Sequence, residues 1–214
     1  MKLSVVATPI GNLEDITLRA LRVLKEADIV CCEDTRVTKK LLSHFDIHTL
    51  TATDTRVLSM LEQGKHVALV SDAGTPGVSD PGLEIVSKAR LMGATIEVIP
   101  GASALAAAIS IAGLRVPTFT FYGFLPTKKG REKLFTEIGA SDRASVFYES
   151  PHRIMKALEM LQKHLEEGRK VGLFRELTKL YEDHIIGTPA ELLELLAQDT
   201  NKQKGEFVVV VEAA

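Results

Sequence analysis

Short strand-like runs and amphipathic helical runs alternate along this chain almost without a break, and that alternation points to an α/β architecture. Runs rich in Val, Ile and Phe that end in polar, Gly or Pro residues predict strands over Leu3–Ala7, Ile29–Glu33, His66–Ser71 and Ile96–Pro100. Five more follow, at Phe119–Gly123, Ala144–Tyr148, Lys170–Arg175, His184–Gly187 and Glu206–Val211. Between them, apolar residues recur at helical spacing. Thr17–Ala27 aligns Leu18, Leu21 and Leu24, Arg153–Leu165 aligns Ile154, Leu158, Leu161 and Leu165, and Ala190–Ala197 is leucine-rich.

A small-residue helix, Ala102–Ala112, ends at Gly113, and Leu114–Pro117 breaks the pattern before a new alternation begins. This predicts two α/β domains, 1–113 and 117–214. The first should hold a mainly parallel sheet. In the second, His184–Gly187 follows Lys170–Arg175 too closely for a crossover helix, which predicts an antiparallel hairpin and a mixed sheet. With 45% hydrophobic residues among 214, the chain has enough apolar surface for both cores. No apolar run reaches the roughly 18 residues of a membrane-spanning helix. Met1–Val6 reads as a first strand, not a signal peptide. The two cysteines, Cys31 and Cys32, are adjacent and read as small core residues of a reduced, cytoplasmic compartment. A net charge of −2 gives no general basic footprint for nucleic acid.

In α/β sheets, ligands bind beyond the carboxyl ends of the strands. Four such loops stand out in the first half. Thr8-Pro9-Ile10-Gly11-Asn12-Leu13 has one glycine and neither a phosphate-loop nor a Rossmann pattern, so alone it reads as a tight turn. Glu33-Asp34-Thr35-Arg36 reads equally as a helix cap with an ion pair and as a polar cluster facing a substrate. Ser71–Gly82 packs three glycines, two prolines and two aspartates into twelve residues, which suits a loop that fixes its own backbone and presents peptide groups to a ligand. Pro100-Gly101-Ala102-Ser103-Ala104 turns a strand into a helix of very small residues, where a cofactor can come close.

In the second half, Phe121–Pro126, Phe147–Arg153 and Arg175–Lys179 each follow a strand. The aromatic residues of Phe119–Phe124 suit both a core strand and a wall for a nucleobase. His152, at a helix start, is a poor candidate for the base. Lys128–Lys133 reads as a solvated basic face and is the best local candidate for phosphate contact.

Taken in order, TPIGNL, EDTR, SDAGTPGVSDPG, PGASA, FYGFLP, FYESPHR and RELTK resemble the ribosomal small-subunit cytidine 2'-O-methyltransferases, a branch of the tetrapyrrole-methylase superfamily. The resemblance spans nearly the whole chain. It implies two α/β domains with a cofactor cleft between them, S-adenosylmethionine as methyl donor, a homodimer, and ribosomal RNA of the small subunit as partner; a sulfonium is already a good leaving group, so no metal is required. Carried onto matching positions, it implies cofactor contacts at Pro9, Ile10, Gly11, Gly74, Thr75, Pro76, Val78, Ser103, Ala104, Tyr148 and Leu177, with Gly205 and Glu206 on a looser match. Two departures bear on RNA grip. Thr51–Arg56 lacks a histidine–asparagine–glutamate signature usual in such relatives, and no helical tail follows Glu212-Ala213-Ala214.

A ribose hydroxyl is a poor nucleophile and gains from a general base. Glu33 and Asp34, with Asp80 behind them, are the candidates. Arg36, Lys128 and Lys179 suit backbone phosphates, and Tyr122 or Phe124 suits a splayed base. Two alternatives are a tetrapyrrole or corrin methylase with the same cofactor loops, and a non-catalytic ribosome-binding relative. An α/β hydrolase lacks its nucleophile-elbow motif here.

Overall fold

The computed structural model describes residues 1–214. They divide into two compact units, Met1–Ser103 and Ala104–Ala214. The division falls earlier than the 113–117 seam expected from the sequence. Helix α5 (Ala104–Ile111), expected to close the first domain, packs against β10 (Phe207–Val211) of the second unit.

The first unit is built on β1 (Lys2–Val6), β2 (Ile29–Cys32), β3 (Thr51–Thr53), β4 (His66–Leu69) and β5 (Thr95–Ile99). They form one sheet in the order β3-β2-β4-β1-β5, parallel at every pairing. Its four crossover helices are α1 (Leu18–Glu26), α2 (Thr35–His44), α3 (Val57–Glu62) and α4 (Gly82–Leu91). Successive side chains of a strand face opposite sides. Val6, Val30, Cys32 and Ala68 therefore pack under α1 and α2, while Leu3, Cys31, Val67 and Leu69 pack under α3 and α4. Burial pushes the Cys31 thiol up to about 12, with the neighbouring Cys32 adding to it, as fits an inert core residue. Thr51–Arg56, where no strand was expected, is the edge strand β3 followed by a 3-10 turn.

Thr17 caps α1 by accepting a hydrogen bond from Ala20 N. The buried stripe of α1 is Ala20, Val23, Leu24 and Ala27, rotated from the expected leucine stripe. Leu18 sits in the first turn and is 86% exposed. The small residues at 20 and 27 let the helix lie close to the sheet.

In the second unit, β6 (Phe119–Phe124), β7 (Ala144–Glu149), β8 (Val171–Arg175) and β9 (Asp183–Gly187) join β10 in the order β6-β7-β10-β8-β9. Only β6–β7 is parallel, and β8–β9 is the expected antiparallel hairpin. The fully buried run Phe207–Val211 fits a central strand. Helices α6 (Arg131–Gly139), α7 (Ile154–His164) and α8 (Pro189–Gln198) cover one face. The stripe of α7 buries Ile154, Ala157, Leu158 and Leu161, close to the pattern read from its spacing. Thr188 and Glu191 form a capping box on α8, with Pro189 in its first turn. The Arg169 guanidinium donates to the carbonyls of Gly139 at 2.7 Å and Glu212 at 2.7 Å, satisfying groups at the end of α6 and after β10. No helix is long and apolar enough to cross a membrane.

Where α6 ends, Gly139 lies so close to α7 that a Cβ there would stand 2.3 Å from the His164 carbonyl oxygen. Gly139→Ala is expected to destabilise the protein by about 1–3 kcal/mol through overpacking. In a scanning calorimeter, that should appear as a drop in Tm of several degrees; an unchanged Tm would contradict this packing.

Candidate functional site

The loop after β1 and the loop after β4 are joined by backbone. Thr8 N–H donates to Gly74 O at 2.9 Å, and Gly74 N–H returns to Thr8 O at 3.1 Å, an isolated antiparallel bridge. The buried Thr8 hydroxyl donates to Ser71 O at 3.2 Å. Thr75 Oγ1 donates to Ala102 O at 3.1 Å, tying in the turn after β5. Three turns that are far apart in sequence therefore meet at the carboxyl end of the parallel sheet. They carry Pro9, Ile10, Gly11, Gly74, Thr75, Pro76 and Val78, with Ser103 following directly on Ala102.

The Ser71–Gly82 loop is stiffened from within. The Asp80 carboxylate accepts from Gly77 N–H at 2.8 Å and from Gly82 N–H at 2.7 Å. Gly74 and Gly77 hold φ of +80° and +86°, open to glycine at no steric cost, and Ser79 holds +71°. A Cβ on Gly74 would stand 3.3 Å from Ile10 Cγ2 and 3.8 Å from Ala102 O. The bare peptide at 74 leaves a cradle that any larger residue would fill. Such a cradle fits a ligand gripped through peptide groups, as the methionine end of S-adenosylmethionine would be.

Three carboxylates were candidates for the base, and their environments separate them. Asp80 is committed to the loop. Asp34 caps α2 through Arg36 N–H at 2.8 Å and pairs with the Arg36 guanidinium at 2.7 Å. These bonds hold its carboxyl down at about 2, a weak base. Glu33 goes the other way: partial desolvation, then the charges of Asp72, Asp80 and Asp54, push its carboxyl up. Asp72, not singled out from the sequence, accepts from Asp34 N–H at 3.1 Å and so links the EDTR turn to the glycine-rich loop. Arg36 has 87% of its side chain exposed, and its pairing with Asp34 is a surface one.

In the second unit, Tyr148 on β7 lies edge-on to Phe121 at 5.1 Å and to Phe124 at 5.3 Å between ring centroids. Burial raises the Tyr148 hydroxyl, and the Leu105 backbone N–H at the start of α5 lowers it in part. Tyr122 does not join this wall. It packs against the hydrophobic core, and its hydroxyl approaches Glu137 Oε1 at 3.4 Å.

The RELTK segment stores backbone strain. Glu176 and Thr178 hold φ of +51° and +65°, and the buried Leu177 lies between them. Lys179 does not stand free for a phosphate. Its ammonium pairs with Glu176 at 2.9 Å and Glu206 at 2.8 Å, and these two carboxylates outweigh burial to raise its pKa. Glu176 also accepts from Glu206 N–H at 2.9 Å. Gly205 is required beside it, since a Cβ there would stand 2.5 Å from Glu176 Cγ.

A buried ion cluster escaped the sequence. Arg131, in the run expected to be a solvated face, is 7% exposed at its side chain and pairs with the fully buried Glu149 at 2.8 Å. Arg153 reaches the other Glu149 oxygen at 2.8 Å. The available signal was a glutamate ending an apolar strand, since such a charge needs a partner. Lys128 lies exposed in the turn before α6, and Arg131 N–H donates to its carbonyl at 3.3 Å.

Residues 2–193 match the model of the tetrapyrrole (corrin/porphyrin) methylases. Ribosomal RNA small subunit methyltransferase I of Xylella fastidiosa is 43% identical over 222 residues, covering 99% of this chain and 81% of that protein. The protein of the same description from Vibrio cholerae is 46% identical, covering 98% and 76%. The crystal structure of uroporphyrin-III-C-methyltransferase from Thermus thermophilus shares the fold, with a TM-score of 0.72 at 20% identity over 99% of this chain and 94% of that one.

Because the Asp34 pKa is depressed, its contribution to stability is full above the unfolded value of 3.8 and is lost as pH falls toward about 2. Arg36→Ala should return the Asp34 carboxyl toward 3.8 in a carboxyl-carbon NMR titration. A value still near 2 in that variant would contradict the assigned pairing.

Proposed function

The chain belongs to the tetrapyrrole (corrin/porphyrin) methylase family, and from that membership we propose that it methylates a cytidine ribose 2'-hydroxyl in small-subunit ribosomal RNA. Its methyl donor is S-adenosylmethionine. The observation that carries the proposal is the cradle at Gly74, closed by the Thr8–Gly74 bridge; proteins described as ribosomal RNA small subunit methyltransferase I, 43% and 46% identical over 99% and 98% of the chain, support it. When bound, the donor supplies an electrophilic methyl group on a sulfonium.

The chain's own residues bind, orient and take a proton. Backbone atoms of Pro9, Ile10 and Gly11 and of Gly74, Thr75, Pro76 and Val78 line the methionine end, with Ser103 and Ala104 beside them, and Tyr148 and Leu177 frame the adenine. Alignment of two reactants can lower a barrier by roughly 7–11 kcal/mol, and a loop stiffened by Asp80 is suited to that. Glu33 takes the proton from the 2'-oxygen. Its raised pKa makes it a stronger base than Asp34, and its charge stays near the turn where the donor binds. Arg36 and Lys128 meet phosphates, and the exposed Phe124 stacks on the target base. The protein works in the cytoplasm, where ribosomes are its substrate, as a homodimer that covers Leu91 and Val98, exposed by 86% and 63% in the single chain.

Labelled donor should be incubated with intact small subunits, with deproteinised small-subunit RNA, and with a corrin precursor. Label is expected in 2'-O-methylcytidine from one of the RNA arms; label only in the corrin would overturn the RNA assignment. By calorimetry, Gly74→Val should abolish binding of S-adenosylhomocysteine, and retained affinity would remove the cradle from the site. In the pH profile of kcat/KM, activity should rise through an apparent pKa above the ordinary glutamate value of 4.5 as Glu33 deprotonates. Glu33→Gln should erase that limb. A variant that keeps both rate and limb would exclude Glu33 as the base.

A further inference from the structure

We propose that Glu149, acting through Arg131 and Arg153, is a positioning residue that sets Phe124 as the stacking surface for the target nucleobase; this rests on the RNA reading above. Both oxygens of Glu149 are committed. Oε2 accepts from Arg131 Nη2 at 2.8 Å, and Oε1 accepts from Ser150 N–H at 2.8 Å while forming an ion pair with Arg153, whose Nε lies 2.8 Å away and donates to Ser150 Oγ at 3.2 Å. Each guanidinium then uses a second donor on the segment after β6. Arg153 Nη1 reaches Leu125 O at 3.2 Å, and Arg131 Nη1 reaches Pro126 O at 3.1 Å. One buried carboxylate thus fixes two consecutive carbonyls through two planar cations, a task for which a single lysine lacks the fork.

The segment so held follows an irregular end of β6. The pairing of β6 with β7 shifts register between Phe121 and Phe124, and Gly123 turns through φ of +62°. Phe124 pairs again with Tyr148 beyond the shift and Leu125 is buried in the core, so the clamp fixes the direction of the turn together with these contacts. Phe124 is 56% exposed, yet its ring meets Tyr148 at 5.3 Å. An exposed aromatic ring held in place can stack a splayed base. A buried ion cluster contributes little net stability compared with apolar residues of the same size. What this one supplies is geometry. Tyr148 pairs with Phe124 on one side but also with Val208 in the β7–β10 ladder, and that second ladder should keep the donor side in place when the clamp is lost.

The test uses Glu149→Gln, Phe124→Ala and the double variant of the full chain, with Arg153→Lys as a second route that keeps the charge and loses the fork. Hydrogen exchange at the amides of Leu125 and Thr127 should speed up by about tenfold in Glu149→Gln and in Arg153→Lys, while the β10 amides stay protected. The KM for small subunits should rise about tenfold in Glu149→Gln, with the Kd for S-adenosylhomocysteine changed by less than about threefold. The double variant should be no worse than the worse single one, because both act through one surface. Unchanged exchange, multiplicative losses, or a donor affinity that falls as far as the RNA KM rises would each overturn the positioning role. Wild-type protein without turnover on either RNA arm would overturn the RNA reading and this inference with it. Wild-type turnover with multiplicative losses overturns the inference alone.

Discussion

Two backbone hydrogen bonds between Thr8 and Gly74 set the geometry of the first unit's carboxyl edge. A parallel sheet delivers its loops to one edge but does not by itself join them. Here the bridge does, and Thr75 extends it to the turn after β5. Ordering a twelve-residue loop carries a cost in backbone entropy. Prolines and the Asp80 carboxylate offset it by narrowing the loop's choices before any ligand arrives. Asp80 holds the loop from within through the Gly77 and Gly82 N–H groups, and the bridge holds it from outside through both peptide groups of Gly74.

Charge is partitioned in the same spirit. Acidic side chains cluster where β2, β3 and β4 end, and Arg36 neutralises only Asp34. Partial burial, and after it the remaining negative field, push Glu33 toward protonation, so one turn holds a carboxylate locked in its charged form beside one that binds a proton more readily. The second unit handles its charges differently. Glu149 is sealed inside with two arginines, and Lys179 bridges Glu176 and Glu206 at the strained RELTK segment. Both clusters use ions to fix backbone where no regular ladder does.

Much of this was legible in the sequence. Period and punctuation were enough for nine of the ten strands, because Val- and Phe-rich runs ending in Gly or Pro leave few alternatives. The spacing of Lys170–Arg175 and His184–Gly187 was too short for a helix, so the hairpin followed. The tenth strand, Thr51–Thr53, was invisible: three polar and small residues on a sheet edge carry no hydrophobic signal. Gly113 and Pro117 announce a break in secondary structure, whereas the compact units divide at Ser103–Ala104, where α5 packs against β10. At the site, the order of the loops revealed which turns meet, since topology alone brings them to one edge. At Asp34 the helix cap and the pairing with Arg36 were one of the two readings of the EDTR turn, and they are what the structure shows. The fates of Lys179 and Arg131 were not legible, because they depend on partners 27 and 18 residues away, which no local pattern encodes.

The most direct measurement is a crystal structure of the protein with S-adenosylhomocysteine. The ligand is expected with its amino-acid end against the backbone of Gly74, Thr75 and Pro76, beside Ile10. A ligand bound elsewhere, with the Ser71–Gly82 loop bare, would contradict the assignment of that loop as the cofactor cradle.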